Sequence, residues 1–165
     1  MGRWRPPQPK ASPYVTALGY AALQAELKQL WVRRRDVVAA LSAAAAEGDR
    51  SENAEYIYRK KELAGLDRRI RYLQKRLPDL TVVDAHPNTE AIFFGATVEL
   101  ETDDEKVVRY RIVGADEAAA DKGDISIDSP LAQALLKKRV DDEVEVNIGG
   151  TKTSYLITAL SYPVD

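Results

Sequence analysis

AALSAAAAEGDRSENAEYIYRKKELAGL, residues 39–66, decides the fold. Its left flank is rich in alanine, the strongest helix former, and its right flank carries apolar residues at helical spacing. Between them lies a polar break, Glu47-Gly48-Asp49-Arg50-Ser51-Glu52-Asn53. Outward from the break, apolar positions recur in alternating steps of four and three. Before it they are Leu23, Leu27, Leu30, Val37, Leu41 and Ala44; after it, Tyr56, Leu63, Leu66, Ile70, Leu73 and Leu77. Arg34 and Arg59 stand where the series asks for an apolar residue. This is a heptad seam in two halves. Two such helices joined by a short polar break predict an antiparallel hairpin. Thr16 is a suitable N-cap for the first helix, and Pro78 ends the second. At 1.5 Å per residue, a helix from Leu23 to Gly48 extends roughly 40 Å. The far end of so long a hairpin is expected to protrude, and Ala43 to Ala46 make it slim.

On either side of the hairpin the patterns change. Pro6, Pro7, Pro9 and Pro13 prevent a continuous helix at the start, so residues 1–15 read as a flexible arm. After Pro78 the period becomes alternating. Thr81 to Val83, Ile92 to Thr102, Val107 to Val113 and Ile125 to Ile127 read as strands. Ser129 as N-cap and Pro130 at the first helical position open a helix through about Arg139. Val144 to Ile148 and Ser154 to Tyr162 form a last hairpin around Gly149-Gly150. The expected class is α+β in two domains. Residues 16–78 form a helical hairpin with its tip at 47–53, and 79–165 form a small antiparallel sheet with one short helix.

Composition narrows the chemistry. The chain has 165 residues, 45% hydrophobic and 30% charged, enough to bury a core. It has no cysteine, which excludes disulfides, thiolate metal sites and thiol catalysis. A single histidine, His86, excludes a multi-histidine metal site within one chain. No apolar run approaches the roughly 20 residues that cross a bilayer, and the start lacks the apolar stretch of a signal peptide. A P-loop, GxSxG, HExxH and a dinucleotide fingerprint are all missing. The net charge of −2 conceals a division. Residues 1–77 carry 16 Lys and Arg against 8 Asp and Glu, or +8, while 78–165 carry 8 against 18, or −10. The basic half suits a polyanion and the acidic half does not.

Three constellations remain. Asp49 and Glu52 are three apart at the break, with Glu47 and Glu55 nearby, a partial site for a hard divalent ion such as Mg²⁺. Two carboxylates alone would bind such an ion weakly, and well only when a partner supplies the rest. Spacing alone favours a plainer reading, in which Asp49 or Ser51 caps the second helix and Glu52 and Glu55 favour its N-terminus. The second constellation is a stripe on the second helix. At 100° per residue, Lys60, Lys61, Arg68, Arg71 and Lys75 share roughly a 100° arc opposite the seam. Residues 53–77 hold 8 basic and 3 acidic residues, so most of these cations lack a local partner. A phosphate-bearing ligand follows, with Arg33-Arg34-Arg35 adding to the same field. The third is Ile125-Ser126-Ile127-Asp128-Ser129-Pro130, for which helix capping is a sufficient physical account. His86 reads as a solvated loop residue, and Trp31 as packing at the hairpin base.

These residues resemble the bacterial transcript-cleavage, or Gre, elongation factors. The matching stretches are GDRSENAEY (48–56), KKELAGLDRRIRYLQKRL (60–77), FFGATVELE (93–101), RYRIVGADE (109–117) and ISIDSPLAQALLKK (125–138). DRRIRYL and the basic second helix resemble the GreB branch in particular. The resemblance implies a coiled-coil hairpin and an FKBP-like C-terminal domain in a cytoplasmic, monomeric protein. It implies docking at the rim of the secondary channel of RNA polymerase through Asp128, Ser129 and Pro130. It further implies that the hairpin enters the channel, where Asp49 and Glu52 act as the catalytic acids. They would help hold a Mg²⁺ ion shared with the polymerase, with none bound tightly by the isolated protein. Lys60 and Lys61 match the family's RNA-contacting patch, which geometry extends to Arg68 and Arg71. The chain is then no free-standing enzyme but an accessory that stimulates cleavage of the RNA 3′ end in backtracked complexes. A channel-binding regulator that inhibits without cleaving is the alternative, disfavoured by the presence of both acids. An FKBP-like folding helper is a weaker one, because the C-terminal half has few aromatics to line a proline pocket.

Overall fold

A computed structural model describes residues 10–47, 53–83 and 86–163. They divide into two compact units: Tyr20–Leu80, and the chain through Gly19 joined by everything from Thr81.

The first unit is built on α1 (Ala17–Ala45) and α2 (Ala54–Arg76), with a 3-10 turn at Leu77–Asp79 that contains Pro78. Leu23, Val37 and Ala44 of α1 and Ile70 and Leu73 of α2 are buried. The other seam positions, Arg34 and Arg59 among them, are half-buried. The two arginines keep the seam by pairing their charges. Arg34 Nε donates to Asp67 on α2 at 2.7 Å, and Arg59 Nε donates to Glu55 at 2.8 Å. Two further pairs cross between the helices: Arg69 to Glu26, at 2.9 Å, and Arg33 Nε to Glu62, at 2.9 Å. From Glu26–Arg69 to Arg33–Glu62 the partner number falls in α2 as it rises in α1, as an antiparallel hairpin requires.

In the second unit, five strands stand in the order β5-β4-β3-β7-β6. They are β3 (Thr97–Thr102), β4 (Val107–Val113), β5 (Asp124–Ser126), β6 (Glu143–Ile148) and β7 (Thr151–Ser161). All neighbours are antiparallel except β4 and β5, so the expected all-antiparallel sheet is mixed at one edge. Alternate residues Val98, Leu100, Ile112, Val144, Val146 and Ile157 face one core, closed by Leu131, Ala132 and Leu135 of α3 (Pro130–Leu135). The α+β class read from the sequence is thus the one observed. The last hairpin turns on two residues, Gly149 at φ 60° and Gly150 at φ 85°, a conformation that glycine adopts at little cost.

Two elements are shorter than their patterns predict, for one shared reason. The strand expected from Ile92 begins only at Thr97, and the helix expected to reach Arg139 ends at Leu135. Ile92 instead exchanges backbone bonds with the segment after α3: its N–H donates to Lys138 O at 2.8 Å, and Lys137 N–H donates to Ile92 O at 2.7 Å. Lys137 takes φ 70° to make that turn.

The proline-rich arm is structured closer to its start than the expected 1–15 boundary allows. Tyr14–Val15 form β1, paired in parallel with β2 (Thr81–Val82). Thr81 N–H donates to Pro13 O at 2.7 Å and Val83 N–H to Val15 O at 3.0 Å. A proline lacks the donor but keeps its carbonyl, so Pro13 serves at a strand edge. Val15 is fully buried, which gives the short strand its anchor.

Candidate functional site

At the far end of the hairpin, α2 is capped by Asn53, whose Oδ1 accepts from Tyr56 N–H at 3.0 Å. The cap is therefore neither Asp49 nor Ser51. Asn53 performs a second task, its Nδ2 donating to Ala44 O at 2.8 Å. Ala44 is among the last residues of α1 and its carbonyl also accepts from Glu47 N–H at 3.2 Å, so one amide side chain caps α2, adds a second bond at the end of α1 and ties the ends together. The intervening loop, residues 48–52, lies outside the described residues, and with it both Asp49 and Glu52. Of the flanking acids, Glu55 is engaged by Arg59. That hydrogen bond is the largest cause raising the Arg59 guanidinium above its ordinary pKa.

Along α2, Lys60, Lys61, Arg68, Arg71 and Lys75 are all exposed. None has an ion-pair partner among the described residues. The cations toward the seam behave differently. Arg33, Arg34, Arg59 and Arg69 each hold a carboxylate. Arg33 and Arg34 thus contribute less to the outer field than their run suggests. The helix sorts its charges: those at the interface are neutralised and those on the outer arc are not. Such an arc can attract phosphates at several successive turns, about 5.4 Å apart.

In the sheet unit, the loop after β5 carries Asp128, Ser129 and Pro130. Ser129 Oγ accepts from Ala132 N–H at 3.3 Å and caps α3, with Pro130 at its first position. Asp128 and Pro130 are exposed. The loop is held from within, where Asp128 N–H donates to Ser126 Oγ at 3.1 Å and Ser129 N–H donates to Ser126 O at 2.9 Å. It is also held by the arm. Ser12 N–H donates to Asp128 Oδ2 at 2.8 Å, and the Ser12 hydroxyl donates to Asp128 Oδ1.

Of two residues placed from the sequence, Trp31 departs from its expected setting and His86 keeps its exposed loop position. Trp31 is 43% exposed along α1 rather than packed at the hairpin base, with the Arg34 guanidinium 5.9 Å from its ring centre. His86 is exposed but engaged, its ring stacked on Phe93 at 3.8 Å and its Nδ1 accepting from Asn88 N–H at 3.0 Å. Sequence reasoning missed Glu117, whose carboxylate accepts from Thr16 N–H at 2.7 Å, from the Thr16 hydroxyl and from Gly114 N–H at 3.0 Å.

A charge-sorted hairpin and a sheet unit with a capped, exposed acidic loop now stand beside two family matches. Residues 13–82 match the family described as transcription elongation factor, N-terminal, and 86–162 match transcription elongation factor, GreA/GreB, C-term. The chain belongs to the GreA/GreB family of transcription elongation factors. Within it, the similarity runs to the GreB type. The transcription elongation factor GreB of Xanthomonas axonopodis pv. citri is 58% identical over 98% of this chain and 98% of its own. That of Pseudomonas aeruginosa is 49% identical over 99% and 98%. Among solved structures, GreA factor homolog 1 of Thermus thermophilus is 25% identical over 90% of this chain and 97% of its own, with a TM-score of 0.42.

Proposed function

We propose that this protein rescues backtracked RNA polymerase by entering its secondary channel and stimulating cleavage of the RNA 3′ end. The observation that carries the reading is the row of five cations without ion-pair partners among the described residues, leading along α2 toward a loop that contains Asp49 and Glu52. Lys60, Lys61, Arg68 and Arg71 hold the phosphates of the extruded RNA. Asp49 and Glu52 are hard-oxygen donors of the kind a divalent ion such as Mg²⁺ takes. With Glu55 held by Arg59, two donors leave a coordination sphere to be completed by the polymerase. When bound there, the ion supplies positive charge to the phosphodiester under attack. Asp128, Ser129 and Pro130 dock on the polymerase, leaving the hairpin to reach the reacting bond. The protein is then an accessory to the polymerase and performs no cleavage alone.

The test is cleavage of RNA in purified, backtracked elongation complexes. Asp49→Ala and Glu52→Ala should each lower the stimulated rate by roughly 100-fold or more, as expected when charge stabilisation at a reacting centre is removed. Both variants should still compete with the wild type for the polymerase. Wild-type cleavage by either variant would refute the assigned mechanism. Slowed elongation with no cleavage by the wild type would instead identify a channel-blocking regulator.

A further inference from the structure

We infer that Ser12 is a positioning residue for docking: through two hydrogen bonds it fixes the Asp128 carboxylate in the orientation that the polymerase reads. This rests on the docking role proposed for Asp128. Nothing else among the described residues explains why an exposed aspartate is held so fully. Its two oxygens are taken by two donors of one residue, the Ser12 backbone N–H and the Ser12 hydroxyl, from 116 positions away. A carboxylate offers about four acceptor positions, so two remain open to a partner. The side chain is thus fixed without being used up.

Both ends of this contact are anchored. Ser12 precedes Pro13, whose carbonyl is bonded to Thr81, and the arm then enters the β1–β2 ladder behind the buried Val15. Asp128 sits between the Ser126 turn and the capped start of α3. A free aspartate on a surface loop samples several rotamers, and a partner must freeze one of them at a cost. Here the arm has frozen it beforehand. The chemistry fits a partner that presents a cationic side chain or backbone N–H groups to a carboxylate held edge-on. Capping of α3 needs only Ser129, so stability of the helix does not account for the hold on Asp128.

The experiment measures equilibrium binding of the full-length protein to RNA polymerase, together with cleavage at saturating factor. Ser12→Ala should weaken binding about threefold to tenfold, the range for one hydrogen bond of ordinary net strength. The cleavage rate at saturation and the melting temperature should stay at wild-type values. Ser12→Thr keeps the hydroxyl and should bind as the wild type does. Asp128→Ala should weaken binding more, and the Ser12→Ala/Asp128→Ala double variant should be no weaker than Asp128→Ala alone. Wild-type binding by Ser12→Ala beside a weakened Asp128→Ala would overturn the inference and spare the docking role. So would full additivity in the double variant, because Ser12 would then act elsewhere. Wild-type binding by Asp128→Ala would remove the docking role and the inference with it.

Discussion

Glu117 reinforces a helix cap from a distance. No acid occupies the first turn of α1. Thr16 caps it, with Gly19 N–H donating to Thr16 Oγ1 at 3.0 Å. Glu117 brings a negative charge to that positive helix end and satisfies the Thr16 N–H and hydroxyl, on a residue only 3% exposed. Space around it is tight. A Cβ on Gly114 would lie 2.0 Å from the Tyr14 carbonyl oxygen, so a side chain there would push β1 away. Glu117→Ala should therefore destabilise the protein by about 2–3 kcal/mol, since it strands buried donors of a charge-assisted network. Glu117→Gln, which keeps an acceptor oxygen, should cost less. Denaturant titration measures both, and a drop under about 0.5 kcal/mol for the alanine variant would mean that the clamp contributes little. The cap at Thr16 is legible in the sequence because it is local. Its partner is not, because 101 positions separate the two and no pattern links them.

Among the elements, the helices are the most legible. A period sustained over six seam positions on each side of the break outweighs any single exception, and the exceptions are paired arginines. The arm strand β1 is two residues long and has no period to read. The ends of α3 and β3 are illegible because a backbone exchange between Ile92 and residues 137–138 sets them. The cap at Asn53 is open to reading, since Asn is as good a cap as Asp or Ser, yet two equally suitable residues precede it. Asn53→Ala should lower stability by about 1–2 kcal/mol, with faster amide exchange at residues 54–57, because it frees donors and acceptors of both helices. Unchanged exchange there would show that the loop closes without this side chain. For the outer arc, Arg68→Gln with Arg71→Gln should weaken binding to single-stranded RNA. The slope of log affinity against log salt should become shallower by about 0.7 for each phosphate that is no longer neutralised. An unchanged slope would place the RNA elsewhere.

For the whole molecule, the segregation of +8 and −10 between the two parts of the sequence makes the modest net charge a poor guide to partners. The two carboxylates available at the loop predict weak Mg²⁺ binding by the isolated protein. Calorimetry should show no micromolar site, and finding one would contradict a shared ion. At the alkaline end, burial raises the Tyr162 hydroxyl above its ordinary pKa of 10.0, partly offset by the Phe93 amide that donates to it at 2.8 Å. The folded state thus favours the neutral phenol. Its contribution is complete below pH 10 and disappears as pH rises through the higher folded value. Tyr162→Phe should flatten the part of the stability decline that lies above pH 10, as followed by denaturant titration across that range.

The β1–β2 ladder has one more consequence. The chain leaves the sheet unit at Gly19, one helical turn after Val15, and re-enters it at Thr81, which pairs with Tyr14 on the neighbouring strand about 4.8 Å away. In topological terms the hairpin is a guest inserted into a host whose cut ends never separate. Replacing residues 20–80 with a glycine linker of roughly four to six residues would span the gap with slack. The host should then fold alone and melt cooperatively. By the same logic, hairpins of different tip chemistry could be exchanged between relatives at this junction, leaving the host's core untouched.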